Sequence, residues 1–472
     1  MKKAPPIITP QSGSRKRKYI RYAFIIFCTV VVTAVVSFMV WRWQLRREIS
    51  IRINAIRAAG LPVNWEDLSK WPCEVSDAEN GALIYTNAIA HLHSDGVTDN
   101  YRFELPPRKE AISTELRASI FAAVETNKEA LDIAVAASLY PKSHYPLNYM
   151  EGPALKLPHL TGLKQIVRLL ECEAFLCADK GKGEDALKKI ETSLKIARSL
   201  DGEPILISQL TAAGLLAISC QSLERVLCRA PVSSAALEAL SAELVSTEST
   251  NRFLTGMIGE RAISGEFIRL AQDDVRKMVE ISNQGISDDE EKTGLPKANP
   301  GISWRCLGFF ERDRNFFLRA METNIAIVSL TPPASLSLTN ESDKLEAQAR
   351  HGFYLMSSLF LPSLSHTSLR DAYVRASLRT SFTAVAIERW RITHNGMTPD
   401  SLESLVPDFF VAVPLDPYDG RPLRFKKTTK GYVVYSIGPN RQDDGGKERP
   451  SRSTHIPAAE RNQFDITFSV ER

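Results

Sequence analysis

From Tyr22 to Trp41 the chain runs for twenty residues without a charged side chain, and that run constrains everything around it. A helix rising about 1.5 Å per residue covers roughly 30 Å over such a length, the thickness of a bilayer's hydrocarbon core. Eleven of the twenty are Ile, Val or Phe, which together favour insertion by about 3–7 kcal/mol. Trp41 closes the run, Trp43 follows it, and Arg42, Arg46 and Arg47 stand at or just past the edge. Such residues hold a span at the lipid–water interface. A cleaved signal peptide has a shorter apolar stretch and a small-residue cleavage site. The expectation is an uncleaved transmembrane helix over 22–41, in contact with membrane lipid.

Flanking charge sets the expected orientation. Lys2, Lys3, Arg15, Lys16, Arg17, Lys18 and Arg21 precede the run, and Arg42, Arg46, Arg47 and Arg52 follow it closely. The more basic flank stays in the cytoplasm. Residues 1–21 are thus read as a cytoplasmic tail, and the body as extracytoplasmic, anchored in the inner (cytoplasmic) membrane. The net charge of +4 conceals an asymmetry: residues 1–57 hold twelve Lys or Arg and one Glu, the rest 47 basic and 54 acidic residues. A mildly acidic body argues against a nucleic-acid partner, because phosphate binding needs clustered positive charge.

The 472 residues, 44% of them apolar, are a foldable sequence of more than one domain. None of the seven cysteines forms a CxxC pair or lies at zinc-finger spacing from a His. They read as small buried hydrophobes, with disulfides open to the six outside the apolar run.

The body over 44–394 carries helical periodicity almost throughout. A basic helix continues over 44–59 until Gly60 and Pro62 break it. A turn starts at Asn64, and an amphipathic helix runs from Asp77 to Leu92. Further helices are predicted over Glu115–Ser138, Leu163–Ala178, Asp185–Leu200, Ile205–Ala230 and Ser234–Val245. Three more are predicted over Phe309–Leu330, Ser342–Leu359 and His366–His394. Residues 282–304, polar and Gly/Pro-bearing, read as a mobile loop. Leu163–Ala178 and Asp185–Leu200, with Ala174 and Ala186 twelve apart, resemble one tetratricopeptide (TPR-like) helix pair; an isolated antiparallel pair is the alternative.

Near residue 395 the pattern changes. Thr398 and Pro399 read as the start of a short helix over Asp400–Val406, followed by the turn Asp416-Pro417-Tyr418-Asp419-Gly420. Strands are predicted over Leu423–Thr428, Tyr432–Ile437 and Asp465–Val470, the first two joined as a hairpin. The order helix, DPYDGRPLRF, GYVVYSIGPN, DDGG and a final DI resembles the C-terminal tail of the major pseudopilin of type II secretion, over about 75 residues within 395–472. That resemblance implies a calcium-binding loop, and Asp443, Asp444 and Asp465 are the carboxylates that would hold the ion. Calcium prefers several hard oxygen ligands. Asn440 and Arg441 depart from the family's loop, and Arg17-Lys18-Tyr19-Ile20-Arg21 has neither the Gly nor the Glu of a prepilin peptidase site. Anchor, helical body and tail together resemble a group of uncharacterised bacterial envelope proteins.

No HExxH, Walker A, GxGxxG or GxSxG pattern occurs, and no catalytic residue is assigned. His91 and His93, two apart on a helix, point about 200° apart and share no ion. Glu388-Arg389-Trp390-Arg391 reads as a packing patch, Trp390 against the tail and the arginines paired with its acids. Glu260, Arg261 and Glu266 read as helix pairs. The carboxylate runs Asp273-Asp274 and Asp288–Glu291 read as solvated.

The expected fold is mainly α: an antiparallel helical body with a small α+β C-terminal module and an N-terminal transmembrane helix. The expected function is a non-catalytic interaction or scaffold module with an envelope protein as partner, related to secretion through the tail. The alternative is a membrane-anchored hydrolase of an envelope polymer, marked by a deep pocket where two carboxylates converge.

Overall fold

A computed structural model describes residues 13–71, 75–93, 103–273, 308–364, 366–450 and 463–472. The loop expected over 282–304, Asp274, Asp288–Glu291, Cys73 and Cys306 lie outside the described residues. The chain is mainly helical, with a small three-stranded antiparallel sheet at its C-terminal end.

The first helix, α1, runs without a break over Gly13–Ala58. Among the described residues two helices are long and apolar enough to cross a membrane, and burial separates them. The apolar window of α1 is 0% buried, whereas that of α8 (Leu206–Arg229) is 61% buried and belongs to the body. At the C-terminus of α1, Gly60 takes φ +69°, and its amide and that of Leu61 close onto the carbonyls of Arg57 and Ile56. This left-handed cap is one that glycine adopts without a Cβ clash. Asn64 then caps α2 (Trp65–Lys70) through the Asp67 amide at 2.7 Å.

The body continues with α3 (Gly81–Ala90), α4 (Thr114–Thr126), α5 (Lys128–Ala137), α6 (Pro158–Asp179) and α7 (Gly183–Arg198). After α8 come α9 (Ser234–Glu248) and α10 (Arg252–Asp273). Helices α6, α7 and α8 pack on one another, with Ala174 and Ala186 fully buried among them. The three-residue link from α6 to α7 makes that pair antiparallel.

Three predicted helices have different bounds for local reasons. The one over Asp77–Leu92 starts late, because the Asn80 side chain caps the Ala82 amide and opens α3 at Gly81. The one over Glu115–Ser138 splits at Asn127. That buried side chain donates to the Ala123 carbonyl and accepts from the His93 amide. The one over Ser342–Leu359 splits into α13 (Thr339–His351) and α14 (Leu355–Phe360) across Gly352–Tyr354.

Past the undescribed stretch, α11 (Phe309–Ser329) packs against α10 on one side and α1 on the other. A short α12 (Ala334–Ser337) leads to α13 and α14, and α15 (Thr367–Thr393) lies against α8, α9 and the sheet. Ala372, Ala376, Thr380, Ser381, Thr383 and Ala384 are all nearly or fully buried on α15, and small side chains allow close approach from several sides.

Strands β1 (Arg424–Thr428), β2 (Gly431–Ser436) and β3 (Ile466–Glu471) form the sheet in that order. Thr428 pairs with Gly431, so Thr429 and Lys430 form a two-residue hairpin turn. Tyr432, Val434, Phe468 and Val470 join Val385 and Ile387 of α15 in one core, so module and body share their apolar interior. The helix expected over Asp400–Val406 is a single 3-10 turn, Leu402–Leu405. Its two buried residues are three apart, which suits that tighter period, and Pro407 follows.

Asp416 holds the module together. Fully buried, it accepts from the Tyr418 amide (2.9 Å), Ser436 Oγ (2.8 Å), the Ile437 amide (2.9 Å) and Arg424 Nη1 (2.7 Å). One carboxylate thus joins the DPYDG turn to β1 and to the end of β2. Without it the Tyr418 and Ile437 amides and the Ser436 hydroxyl lose their buried acceptor, and Arg424 keeps only Asp419 as a close partner. Asp416→Ala is expected to cost about 3–5 kcal/mol and to expose 395–472 to protease, read by limited proteolysis and thermal unfolding of the full chain.

Candidate functional site

A cleft lies where α1 meets the body. Its volume is about 650 Å³, and Arg46, Ile53, Arg57, Trp65, Glu266 and Arg269 are among its lining residues. The α1–α11 contact builds its wall. Arg42 and Arg46 both donate to Glu311, the latter at 3.2 Å; Asn315 donates to Glu48 at 2.6 Å, and Arg52 pairs with Glu322. Ile49 and Ile56 bury against Leu318. Partner numbers rise together along both helices, so the two are parallel. Their contact begins at Trp41, where a Cβ on Gly308 would come within 3.1 Å of the indole. The Glu311 side chain is 2% exposed. Burial raises its carboxyl, but Arg42, its own backbone and Arg46 outweigh that and hold it below the ordinary value. Across the cleft Glu266 and Arg269 form a bidentate pair.

The calcium expectation meets a loop closed by protein donors. Asp465 Oδ2 accepts from the amides of Gly446 (2.7 Å) and Lys447 (3.2 Å). Asp444 accepts from Asn440 at 2.8 Å, and Asp443 from the Gly445 amide at 2.9 Å. Arg441, at φ +57°, leaves the loop to donate to the Leu336 carbonyl on the body. Asp443, Asp444 and Asp465 do not converge on one point, and no set of three or more His, Cys, Asp or Glu that could hold a metal occurs among the described residues. Calcium takes six to eight oxygens, backbone carbonyls among them, and the buried Asp465 Oδ1 has no hydrogen-bond partner among the described residues.

His91 turns to the Asn87 carbonyl (2.9 Å) and lies 3.7 Å from Glu129, while the His93 amide bonds Asn127. Trp390 meets Phe409 of the module edge-on, at 6.0 Å between ring centres. The arginines beside it find acids on helices instead: Arg389 pairs with Glu238 on α9, and Arg391 with Glu388 on its own helix. Module residue Arg472 also reaches Glu388, which accepts from Tyr432 at 2.8 Å. Glu260 accepts from the Leu206 amide, tying α10 to α8, and Arg261 donates to the Pro62 carbonyl in the link between α1 and α2.

Two polar groups, one buried and one half-buried, escaped the sequence reading. His159 Nε2 lies 3.0 Å from Glu203, which also accepts from Ser208, and Tyr145 stacks on the imidazole. The serine donates to the carboxylate rather than to the imidazole, so the three do not stand in the order of a Ser–His–acid triad. The other group surrounds Arg108, which contacts Glu224 of α8 and Glu471 of β3 at 3.2 Å each, and Glu448 as well. Arg108, Glu448 and Glu471 line a second cleft of about 270 Å³, and Glu224 reaches it only through the guanidinium. Burial pushes the Glu224 carboxyl up to about 7 against the pull of Arg108. Sequence spacing carried no signal for either group, because His159 and Glu203 lie 44 residues apart and Arg108 and Glu471 lie 363 apart.

No family model, curated protein or solved structure matches this chain.

The Glu224 shift has a definite sign. Between its ordinary 4.5 and about 7 the folded chain keeps a proton that the unfolded chain has released, so stability falls as pH rises through that window. The loss is on the order of 3 kcal/mol. Glu224→Gln should flatten that part of the profile, read as the difference between variant and parent unfolding midpoints from pH 4 to 8.

Proposed function

We propose that this chain is a single-pass protein of the inner (cytoplasmic) membrane, with residues 1–21 in the cytoplasm and the body on the extracytoplasmic side. The body serves as a non-catalytic interaction or scaffold module for an envelope protein, and the pseudopilin-like tail places that role beside secretion.

The observation that carries this reading is the continuity of α1. Its apolar window is entirely unburied, yet the same helix passes without a break into a seam of ion pairs and apolar contacts with α11. An unburied run of Ile, Val and Phe is costly in water and favourable in lipid. A helix that is both lipid-compatible and docked holds its body at a fixed height above the bilayer. The scaffold reading draws support from the acids that the sequence left unassigned. Glu171, Glu224, Glu248, Glu311 and Asp416 are each paired with arginines that join different elements.

Protease added to intact cells, to cells with a permeabilised outer barrier and to spheroplasts tests the orientation. The expected outcome is cleavage of the body once that barrier is breached, and in intact spheroplasts. Full protection of the body in spheroplasts inverts the orientation and removes the secretion role. Crosslinking mass spectrometry on the same preparation tests the scaffold reading: an envelope protein joined to the body is expected, and the absence of any partner above a tail-deleted control defeats it.

A further inference from the structure

The end of the body nearest the apolar run of α1 carries a second apolar surface. Phe353 is 85% exposed, Leu355 58% and Leu359 67%. Leu355 and Leu359, four apart on α14, share a face that points outward, while Met356 and Ser357 turn inward. Phe353 sits at φ +55°, a left-handed conformation unusual for a bulky residue. The turn is tight, since a Cβ on Gly352 would strike the Tyr354 ring at 2.5 Å. The chain thus adopts an unfavourable backbone to hold an aromatic ring out of the body.

The height of this surface follows from contacts already described. Asp313 on α11 accepts from the amides of Met356 (2.7 Å) and Ser357 (3.1 Å) and from Ser357 Oγ (2.6 Å). Tyr354 stacks on Phe316 at 4.1 Å, and the Arg312 guanidinium lies 4.4 Å from the same ring centre. The start of α14 is therefore fixed at the level of residues 312–316. The α1–α11 pairing puts those residues beside α1 just past Trp41, between Arg42 and Glu48. That is within about 10 Å of the end of the apolar run along the helix axis. The headgroup layer beyond the hydrocarbon is itself about 5–8 Å deep. Phe309, 38% exposed at the first position of α11, stands on the same level.

We propose that Phe353, Leu355 and Leu359 form a second membrane contact, entering the interface of the same leaflet from which α1 emerges, with Arg312 beside them at phosphate level. The occupant is the lipid surface. Apolar side chains with a cation at headgroup depth are the pattern of an interfacial membrane contact. The body then touches the bilayer at two separated places and cannot rotate about α1. This inference rests on α1 spanning the membrane.

The test is photocrosslinking of the full chain in lipid nanodiscs, with benzoylphenylalanine replacing Phe353, Phe27 or Leu415 in separate preparations. Phe27 is an exposed residue of the apolar run; Leu415 is half exposed near Gly420, which packs on Pro333 beyond the far end of α11. Lipid-mass adducts are expected at Phe27 and Phe353, with none at Leu415. An adduct at Phe27 without one at Phe353 overturns the second contact and leaves the anchor standing. No adduct at Phe27 overturns the anchor and this inference with it. A protein adduct at Phe353 in place of lipid assigns the patch to a partner and also overturns the proposal.

Discussion

Glu311 is an acid buried to 2% exposure between Arg42 and Arg46, and the rest of the architecture is referred to that contact. It lies one turn past Trp41, where α1 leaves its uncharged run. Alone in the interior, such a carboxylate would be strongly destabilising; with two guanidiniums it becomes a position marker, because any slip of α11 along α1 separates the charges. Downstream pairs, Glu48 with Asn315 and Arg52 with Glu322, keep the same register. Helix α11 in turn holds α10 on its opposite side and the start of α14 through Asp313. Just beyond its far end, Pro333 and Leu336 receive Gly420 and Arg441 of the C-terminal module.

Much of the interior is organised by arginine–carboxylate pairs that connect elements rather than decorate them. Arg225 joins α8 to Glu171 on α6; Arg375 and Arg379 join α15 to Glu248 on α9; Arg108 gathers Glu224, Glu448 and Glu471. Arg424 does likewise inside the module, pairing with Asp416 and Asp419 while lying 3.8 Å from Asp443. A guanidinium is planar, always charged and able to serve two carboxylates at once, which suits it to this bridging role. It also leaves these acids occupied by arginines.

What could be read from the sequence was what local chemistry decides. The uncharged run of α1, the stop at Gly60 and Pro62, the cap at Asn64 and the Thr429–Lys430 hairpin depend on residues within a few positions of one another. Two of the three misplaced boundaries have a common cause. Asn127 and Asp313 spend side-chain hydrogen bonds on backbone amides distant in sequence, His93 in one case and Met356 and Ser357 in the other. No periodicity reports such a bond. The sites were less legible still. Arg42 and Arg46 were visible as interface arginines, but their partner lies more than 260 residues away. The resemblance marked the Asp443–Asp444 loop as an ion site, while the tie from Arg441 to α12 left no trace in the sequence.

If α1 spans the bilayer as proposed, a continuous helix between bilayer and body also sets what the protein can reach. A flexible linker lets a tethered domain search a hemisphere whose radius grows with linker length; here that freedom is absent. On the proposed reading, the body and α1 move as one piece, held to the membrane at two places. It travels laterally, at constant elevation, with the 21-residue α11 rising roughly 30 Å from the surface to its far end. Whatever meets the C-terminal module must present its own binding face at about that elevation. Membrane proteins of shorter stature would pass beneath the module without contact, and molecular height would then help to select the partner.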